Sequence, residues 1–206
     1  VPSRLALETA FPAISVALEH DGKLLLPRSD LSGKRAAGLH PAILELLEGR
    51  GLEASDLDEI LVDRGPGSYT GIRIGLATAK TLAYTTGARL RTFLSTDICY
   101  LEAKKSGRTA ERTAVLLDAR RGSWSLTVYE GPGRRVAPPA LRRREELPQA
   151  VEECDAILLP GGAQDLPELK ERIVPLPFPG AATAFELEEE LEPDGDSAPL
   201  YLMPPI

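Results

Sequence analysis

One run limits this chain more than any other: Arg64-Gly65-Pro66-Gly67-Ser68-Tyr69-Thr70-Gly71-Ile72-Arg73-Ile74-Gly75. Ahead of it, Glu59-Ile60-Leu61-Val62-Asp63 reads as a short buried strand, apolar inside and acidic at both ends. Behind it, Ile72 to Thr86 reads as a helix that stops at Gly87. The run is therefore a tight strand-to-helix turn. Gly65 and Gly67 allow backbone angles that other residues resist, Pro66 stiffens the turn, and Ser68 or Thr70 can cap the helix. Two readings stand side by side: the glycines only make the turn, or the free N–H groups of the helix start form an anion site. A Walker A loop is absent, because Ile72-Arg73 follows Gly71 where Lys and Ser or Thr would have to be. A dinucleotide fingerprint is missed by one residue of spacing.

The helix carries a second constraint. At ~100° per residue, Ile72, Gly75, Leu76, Ala79, Leu82 and Ala83 share one arc, and Ile74, Thr78, Thr81 and Thr85 the opposite one. Its charges, Arg73 and Lys80, fall on one narrow stripe. A helix apolar or small on two faces is covered on both. One face covers its own sheet; the other requires another helix or a partner subunit.

Gly-Pro-Gly-Ser-Tyr-Thr-Gly-Ile-Arg-Ile-Gly, continued through Ala77-Thr78-Ala79-Lys80-Thr81-Leu82-Ala83, resembles the signature of the TsaB (YeaZ) family. That family is an accessory component of bacterial threonylcarbamoyladenosine tRNA modification. Leu5-Ala6-Leu7-Glu8-Thr9 is similar to the family's opening strand, Asp118-Ala119-Arg120-Arg121-Gly122 to its second-domain turn, and Pro199-Leu200-Tyr201-Leu202 to its closing Pro-x-Tyr-Leu. The likeness departs at Glu8 (Asp in the family), Ala10 (Ser), Arg35-Ala36 (His-Ser) and Met203 (Arg). Ligand roles at those positions are not carried over.

Around the central run the chain reads as two sets of elements. Leu5, Leu7, Ile14, Val16, Leu18, Leu24 and Leu26 alternate, and Asp21-Gly22 is a hairpin turn, giving strands near 4–9, 13–19 and 23–28. Ile43, Leu44, Leu46 and Leu47 place a helix over 41–48, with Pro41 as its first residue or as a kink in a helix begun near Ser32. A strand at 89–94 and a helix at 96–105 follow. After a polar linker at 106–109 come strands at 113–117, 124–129 and 135–136, a helix at 145–153, strands at 156–159 and 173–176, and an acidic helix at 181–191. Glu188-Glu189-Glu190 reads as a solvated face, and 199–202 as a docked extended tail. Each half reads β-β-β-α-β-α. The expected architecture is an α/β actin-like ATPase (ribonuclease H-like) fold in two duplicated lobes, residues 1–105 and 106–206, which the resemblance implies as well.

A formal net charge of −7 argues against a strong nucleic-acid binder, since such affinity rests on Lys and Arg neutralising phosphates. Cys99 and Cys154 read as core thiols of a reducing compartment. No apolar stretch is long enough to span a membrane, and the start lacks the apolar core of a signal peptide and an initiator Met, which reads as a trimmed or altered end. The expected location is cytoplasmic. No catalytic, cofactor-binding or metal-binding residues are assigned. His20 and His40 are twenty residues apart, and neither H-E-x-x-H nor the H-x-x-x-H of the paralogue TsaD occurs. The first hairpin, Glu8-Thr9-Ala10-Phe11-Pro12, lacks the glycine by which working members of the superfamily hold phosphates.

The resemblance implies a non-catalytic scaffold or activator that pairs with TsaD for threonylcarbamoyl transfer to a tRNA adenosine next to the anticodon, reaches a TsaE-type ATPase through that complex, and forms a homodimer when alone. A weak nucleotide-binding ATPase or kinase of the same fold is the alternative, and a peptidase the remote one. The expected partner face joins the helices at 41–48 and 72–86. It comprises Ile43, Leu44, Leu46 and Leu47 from the first helix and Ile74 with Arg73 at the rim from the second, where the small residues Gly75, Ala77, Thr78 and Thr81 would let a partner helix approach closely. Gly65, Pro66, Gly67, Ser68, Thr70 and Gly71 are expected to be structural.

Overall fold

The computed structural model describes residues 2–28, 31, 36–162, 166–187 and 198–202. The described residues cluster into two compact units, those within 1–95, 180–186 and 193–200, and those within 96–179, 187–192 and 201–206.

The first unit is a five-stranded sheet with helices on it. Its elements are β1 (Arg4–Glu8), β2 (Ser15–His20), β3 (Lys23–Leu25), α1 (Leu39–Glu48), β4 (Glu59–Asp63), α2 (Tyr69–Thr86) and β5 (Arg89–Phe93). The strand order is β3-β2-β1-β4-β5. β1 runs antiparallel to β2 and parallel to β4, and β4 parallel to β5. Asp21 (φ 50°) and Gly22 (φ 68°) make the β2–β3 hairpin with two left-handed central residues, as an Asp-Gly pair does when its twist has to match the strands. The β3 strand ends at Leu25 rather than 28: Pro27 has no N–H for the ladder. A 3-10 turn at Ala36–Gly38 leads into α1, so Pro41 lies in its first turn, where a missing N–H does no harm. α1 packs on β2, α2 on β4 and β5, and a 3-10 segment, Ala181–Glu186, covers β1 and β2. The Arg4 guanidinium lies 5.1 Å over the Phe185 ring, and the Ala181 N–H donates to Ser15 Oγ (2.7 Å).

The second unit repeats the arrangement of the sheet, with one added strand. It contains α3 (Ser95–Lys105) from Thr96 onward, β6 (Arg112–Asp118), β7 (Ser123–Glu130), β8 (Arg134–Arg135), β9 (Ala140–Arg143), α4 (Leu147–Ala150), β10 (Ala156–Pro160) and β11 (Ile173–Leu176). The sheet runs β8-β7-β6-β10-β11, with β9 also on β7. In both sheets the first strand is central, its hairpin lies to one side and its crossover strands to the other. This is the actin-like ATPase architecture, of ribonuclease H type. Leu116, Trp124, Leu126, Leu147, Val151 and Ile157 belong to the core of the second unit.

Further expectations change here. The helix expected at 145–153 is a 3-10 turn, Arg144–Glu146, followed by the single turn α4. The carbonyls of Val151, Glu152 and Cys154 beyond it accept from Arg172 Nη1 (2.7, 3.1 and 3.0 Å), which satisfies these three where the chain turns. The helix expected at 181–191 is a 3-10 segment up to Glu186, and Glu188-Glu189-Glu190, Arg35 and Met203 lie outside the described residues. β9 and the 3-10 segment Pro167–Arg172 were not foreseen. α2 begins at Tyr69, three residues before the expected start.

Candidate functional site

The glycine loop is built around the β1–β2 turn. Ser68 is the N-cap of α2, its Oγ accepting from the Gly71 N–H at 3.2 Å, and Gly87 ends the helix at φ 79°. The Gly65–Pro66 peptide bond is cis, and Gly65 has φ 103°, which only glycine adopts freely. The other glycines answer a different demand. A Cβ on Gly67 would lie 2.6 Å from the Ala10 carbonyl oxygen, and one on Gly71 or Gly75 would overlap the Thr9 carbonyl or hydroxyl oxygen. The helix start is thus a seat for residues 9–10. Two hydrogen bonds fasten them: the Ser68 N–H donates to the Ala10 carbonyl (2.8 Å), and Thr9 Oγ1 donates to the Gly71 carbonyl (2.8 Å). The tail closes on the same loop, with Leu200 N–H donating to the Arg64 carbonyl (2.8 Å) and Arg64 Nη1 to the Ala198 carbonyl (3.0 Å). Docking of the tail from residue 199 was legible in advance.

Beneath the loop lie two carboxyls that the sequence reading did not connect. Glu8 is 1% exposed and Asp63 0%. Glu8 Oε1 accepts the N–H groups of Ala10 (2.6 Å) and Phe11 (2.9 Å). Asp63 Oδ1 accepts the Gly65 N–H (2.6 Å) and the Ser95 hydroxyl (2.8 Å). Burial, and then the neighbouring Asp63, push the Glu8 carboxyl well above the usual carboxylate range against the pull of its two N–H donors. The signal for this pair was present in the sequence as an acid at the end of each of two adjacent apolar strands.

The expected partner face divides. Ile43, Leu46 and Leu47 are buried, so they are core rather than surface; helical spacing puts all three on the face that α1 turns to β2. Leu44, off that stripe, is 56% exposed. Thr78 is also buried at 8%, together with Ile72, Gly75, Leu76 and Ala79. Arg73, Ala77 and Thr81 are exposed, Ile74 is half-buried, and Tyr84 beyond them is 91% exposed. Arg73 Nη1 donates to the Tyr69 hydroxyl (3.1 Å), and its guanidinium lies 5.4 Å from the centre of the Tyr69 ring, so the Arg73 side chain is oriented along its own helix. His20 is half-buried with Nδ1 2.9 Å from Ser3 Oγ, and His40 is exposed. Among the described residues no group of three or more His, Cys, Asp or Glu side chains could hold a metal ion. Cys99 and Cys154 are both buried thiols.

A family model described as TsaD, tRNA N6-adenosine threonylcarbamoyltransferase, matches residues 31–184, which include the whole glycine loop and α2. The chain belongs to this family. Its curated relatives put it on the TsaB/YeaZ side. It is 34% identical over 132 residues to TsaB of Escherichia coli (strain K12), across 61% of this chain and 54% of that protein. With TsaB of Bacillus subtilis (strain 168) it shares 30% over 128 residues, across 61% and 54%. Both relatives are named tRNA threonylcarbamoyladenosine biosynthesis proteins. The aligned stretch spans about half the length of these curated relatives. The structure of YeaZ from Pseudomonas aeruginosa superposes with a TM-score of 0.74 at 26% identity, over 98% of this chain and 100% of that one. The glycine loop by which the TsaB/YeaZ family is recognised in sequence is, in this member, the seat of the β1–β2 turn.

Proposed function

We propose that this chain is a non-catalytic partner of a TsaD-type transferase in the formation of threonylcarbamoyladenosine on tRNA. The relatives' names and the family match support the pathway. The observation that carries the non-catalytic part is the state of the β1–β2 turn. In working ATPases of this fold, turns of this kind offer backbone N–H groups to phosphates. Here the Ala10 and Phe11 N–H groups already donate to Glu8 Oε1, and the Ala10 carbonyl already accepts from Ser68. Chain atoms close the turn, and Phe11 and Pro12 follow it directly. The part left for the chain is to be bound.

The surface offered is the outer side of α2, with Arg73, Ile74, Ala77 and Thr81 at its centre and Tyr84 at its end. Exposed small residues let a partner helix come close, and an exposed aromatic supplies area at little entropy cost. Self-association of the chain alone, and access of a TsaE-type ATPase through the complex, would use the same arrangement. No helix among the described residues is long and apolar enough to cross a membrane, and the cytoplasm suits a tRNA-modifying assembly. The test is reconstitution. A TsaD-type subunit with its threonylcarbamoyl donor and tRNA should form product faster when this chain is added, while the chain alone should turn over no ATP above a blank. ATP turnover by the chain alone, or product formation indifferent to it, overturns the reading.

A further inference from the structure

Glu8 and Asp63 end adjacent parallel strands. The register pairs Leu7 with Val62, and the two acids follow as the next residue on each strand, in strands about 4.8 Å apart. Glu8 Oε1 is fully used by two N–H donors. Glu8 Oε2 is buried with no hydrogen-bond partner among the described residues. An ionised oxygen in that position has lost water and gained nothing, beside a second buried acid.

Among the described residues, the cations nearest this face have other partners. Arg4 pairs with Glu19 at 2.5 Å, and Arg89 and Arg91 lie 2.7 and 4.0 Å from Glu59, at the far end of the strands. Arg4 is four residues from Glu8 along β1, about 13 Å away. Arg64, beside Asp63, sends Nη1 to the Ala198 carbonyl. From α2, Arg73 is exposed and bonded to Tyr69. On the covering 3-10 segment the titratable group is Glu186, which is exposed. From β2 the residue paired with Glu8 is Ser15, which cannot titrate in this range.

We propose that Glu8 is protonated in the folded protein and donates this proton from Oε2 to Asp63, so that the two acids carry one charge between them and the shared proton pins the β1–β2 turn to the glycine loop. The pin is pH-sensitive. Below about pH 4.3 both the folded and the unfolded chain hold the proton. As the pH rises further the unfolded chain releases it while the folded chain does not, so stability falls steadily. The fall ends when the folded carboxyl itself ionises and two charges stand buried side by side. Burial and Asp63 set that end well above the ordinary range.

Glu8→Gln tests this directly. Its amide oxygen can accept from Ala10 and Phe11, and its NH₂ can donate to Asp63, so it copies the protonated acid and cannot ionise. Urea unfolding of both proteins from pH 5 to pH 9 compares them, groups common to both cancelling in the difference. The expected result is that E8Q gains on the unaltered protein with rising pH, by up to tenfold in the folding equilibrium constant per pH unit. A difference that does not change with pH, or one that grows against E8Q, overturns the proposal. Should E8Q not fold, carbon-13 NMR of the Glu8 carboxyl in the unaltered protein decides. A protonated carboxyl shift at pH 6 supports the proposal, and an ionised one overturns it.

Discussion

The two sheets start with the same device and use it differently. β1 ends on Glu8 and β6 on Asp118, and each acid accepts the N–H two residues further on, Ala10 to Glu8 (2.6 Å) and Arg120 to Asp118 (2.7 Å). There the likeness ends. Glu8 is buried beneath a turn that α2 covers, whereas Asp118 is exposed at a turn made of Arg120, Arg121 and Gly122, all left-handed. A Cβ on Gly122 (φ 73°) would meet nothing within 4 Å. At the first turn glycine sets a distance, and at the second it sets an angle. One repeated topology can thus hold a packed contact in one copy and a plain reversal of direction in the other.

Substitution of the two kinds of glycine separates them most sharply. Gly71→Ala puts a methyl group into the Thr9 carbonyl oxygen, where backbone faces backbone and neither side can yield. It should destabilise the protein by about 3 kcal/mol or more, at the top of the range for overpacking. Gly122→Ala has room and suffers only from its left-handed φ, so about 1 kcal/mol is expected. Denaturant unfolding measures both. Equal losses would mean that the seat on α2 is loose and that the two turns do not differ.

The acids give the next contrast. Asp118→Asn keeps an oxygen for the Arg120 N–H at an exposed position, so stability should change by no more than about 0.5 kcal/mol. At Glu8 the same kind of replacement is expected to alter the pH dependence. Matching pH profiles for the two amide variants would erase the distinction between the buried and the exposed acid.

The fold was legible in the sequence wherever a signal was local. Asp21-Gly22 announced its hairpin, Gly87 ended α2, and the apolar runs at 59–63 and 156–160 were buried strands. What escaped depends on residues distant in the chain. α4 stops after one turn, and Arg172 satisfies the carbonyls beyond it from about twenty positions away. β9 is a basic stretch, Ala-Leu-Arg-Arg, that becomes a strand because β7 offers it a partner. The use of Gly71 and Gly75 could not be read from spacing, since spacing does not tell a glycine needed for its angle from one needed for its closeness. Ile43, Leu46 and Leu47 are core and not partner surface for a related reason. Helical periodicity shows that three residues share a face, but what lies against that face is tertiary information.

The smallest expected effect on stability belongs to the outer side of α2, which matters most for the proposed function. The seat for residues 9–10 uses Gly71 and Gly75, and the sheet takes Ile72, Leu76 and Ala79. Thr78 is buried with them, so an acid there would disturb the core and report nothing about a partner. Ala77 and Thr81 are exposed one turn apart on the same stripe. Ala77→Glu keeps a good helix former in place and should shift the unfolding free energy by no more than about 0.5 kcal/mol. At the centre of a docked surface the same carboxylate would be buried without a counterion, at a penalty of several kcal/mol (about 3–5). That is enough to abolish association with a TsaD-type subunit and any self-association at micromolar concentration. Light scattering and a pull-down with the partner read the association, and thermal melting reads the fold. Retained binding by a folded Ala77→Glu variant moves the interface off α2, whereas an unfolded variant would mean that this side of the helix is packed as tightly as the side that seats the turn.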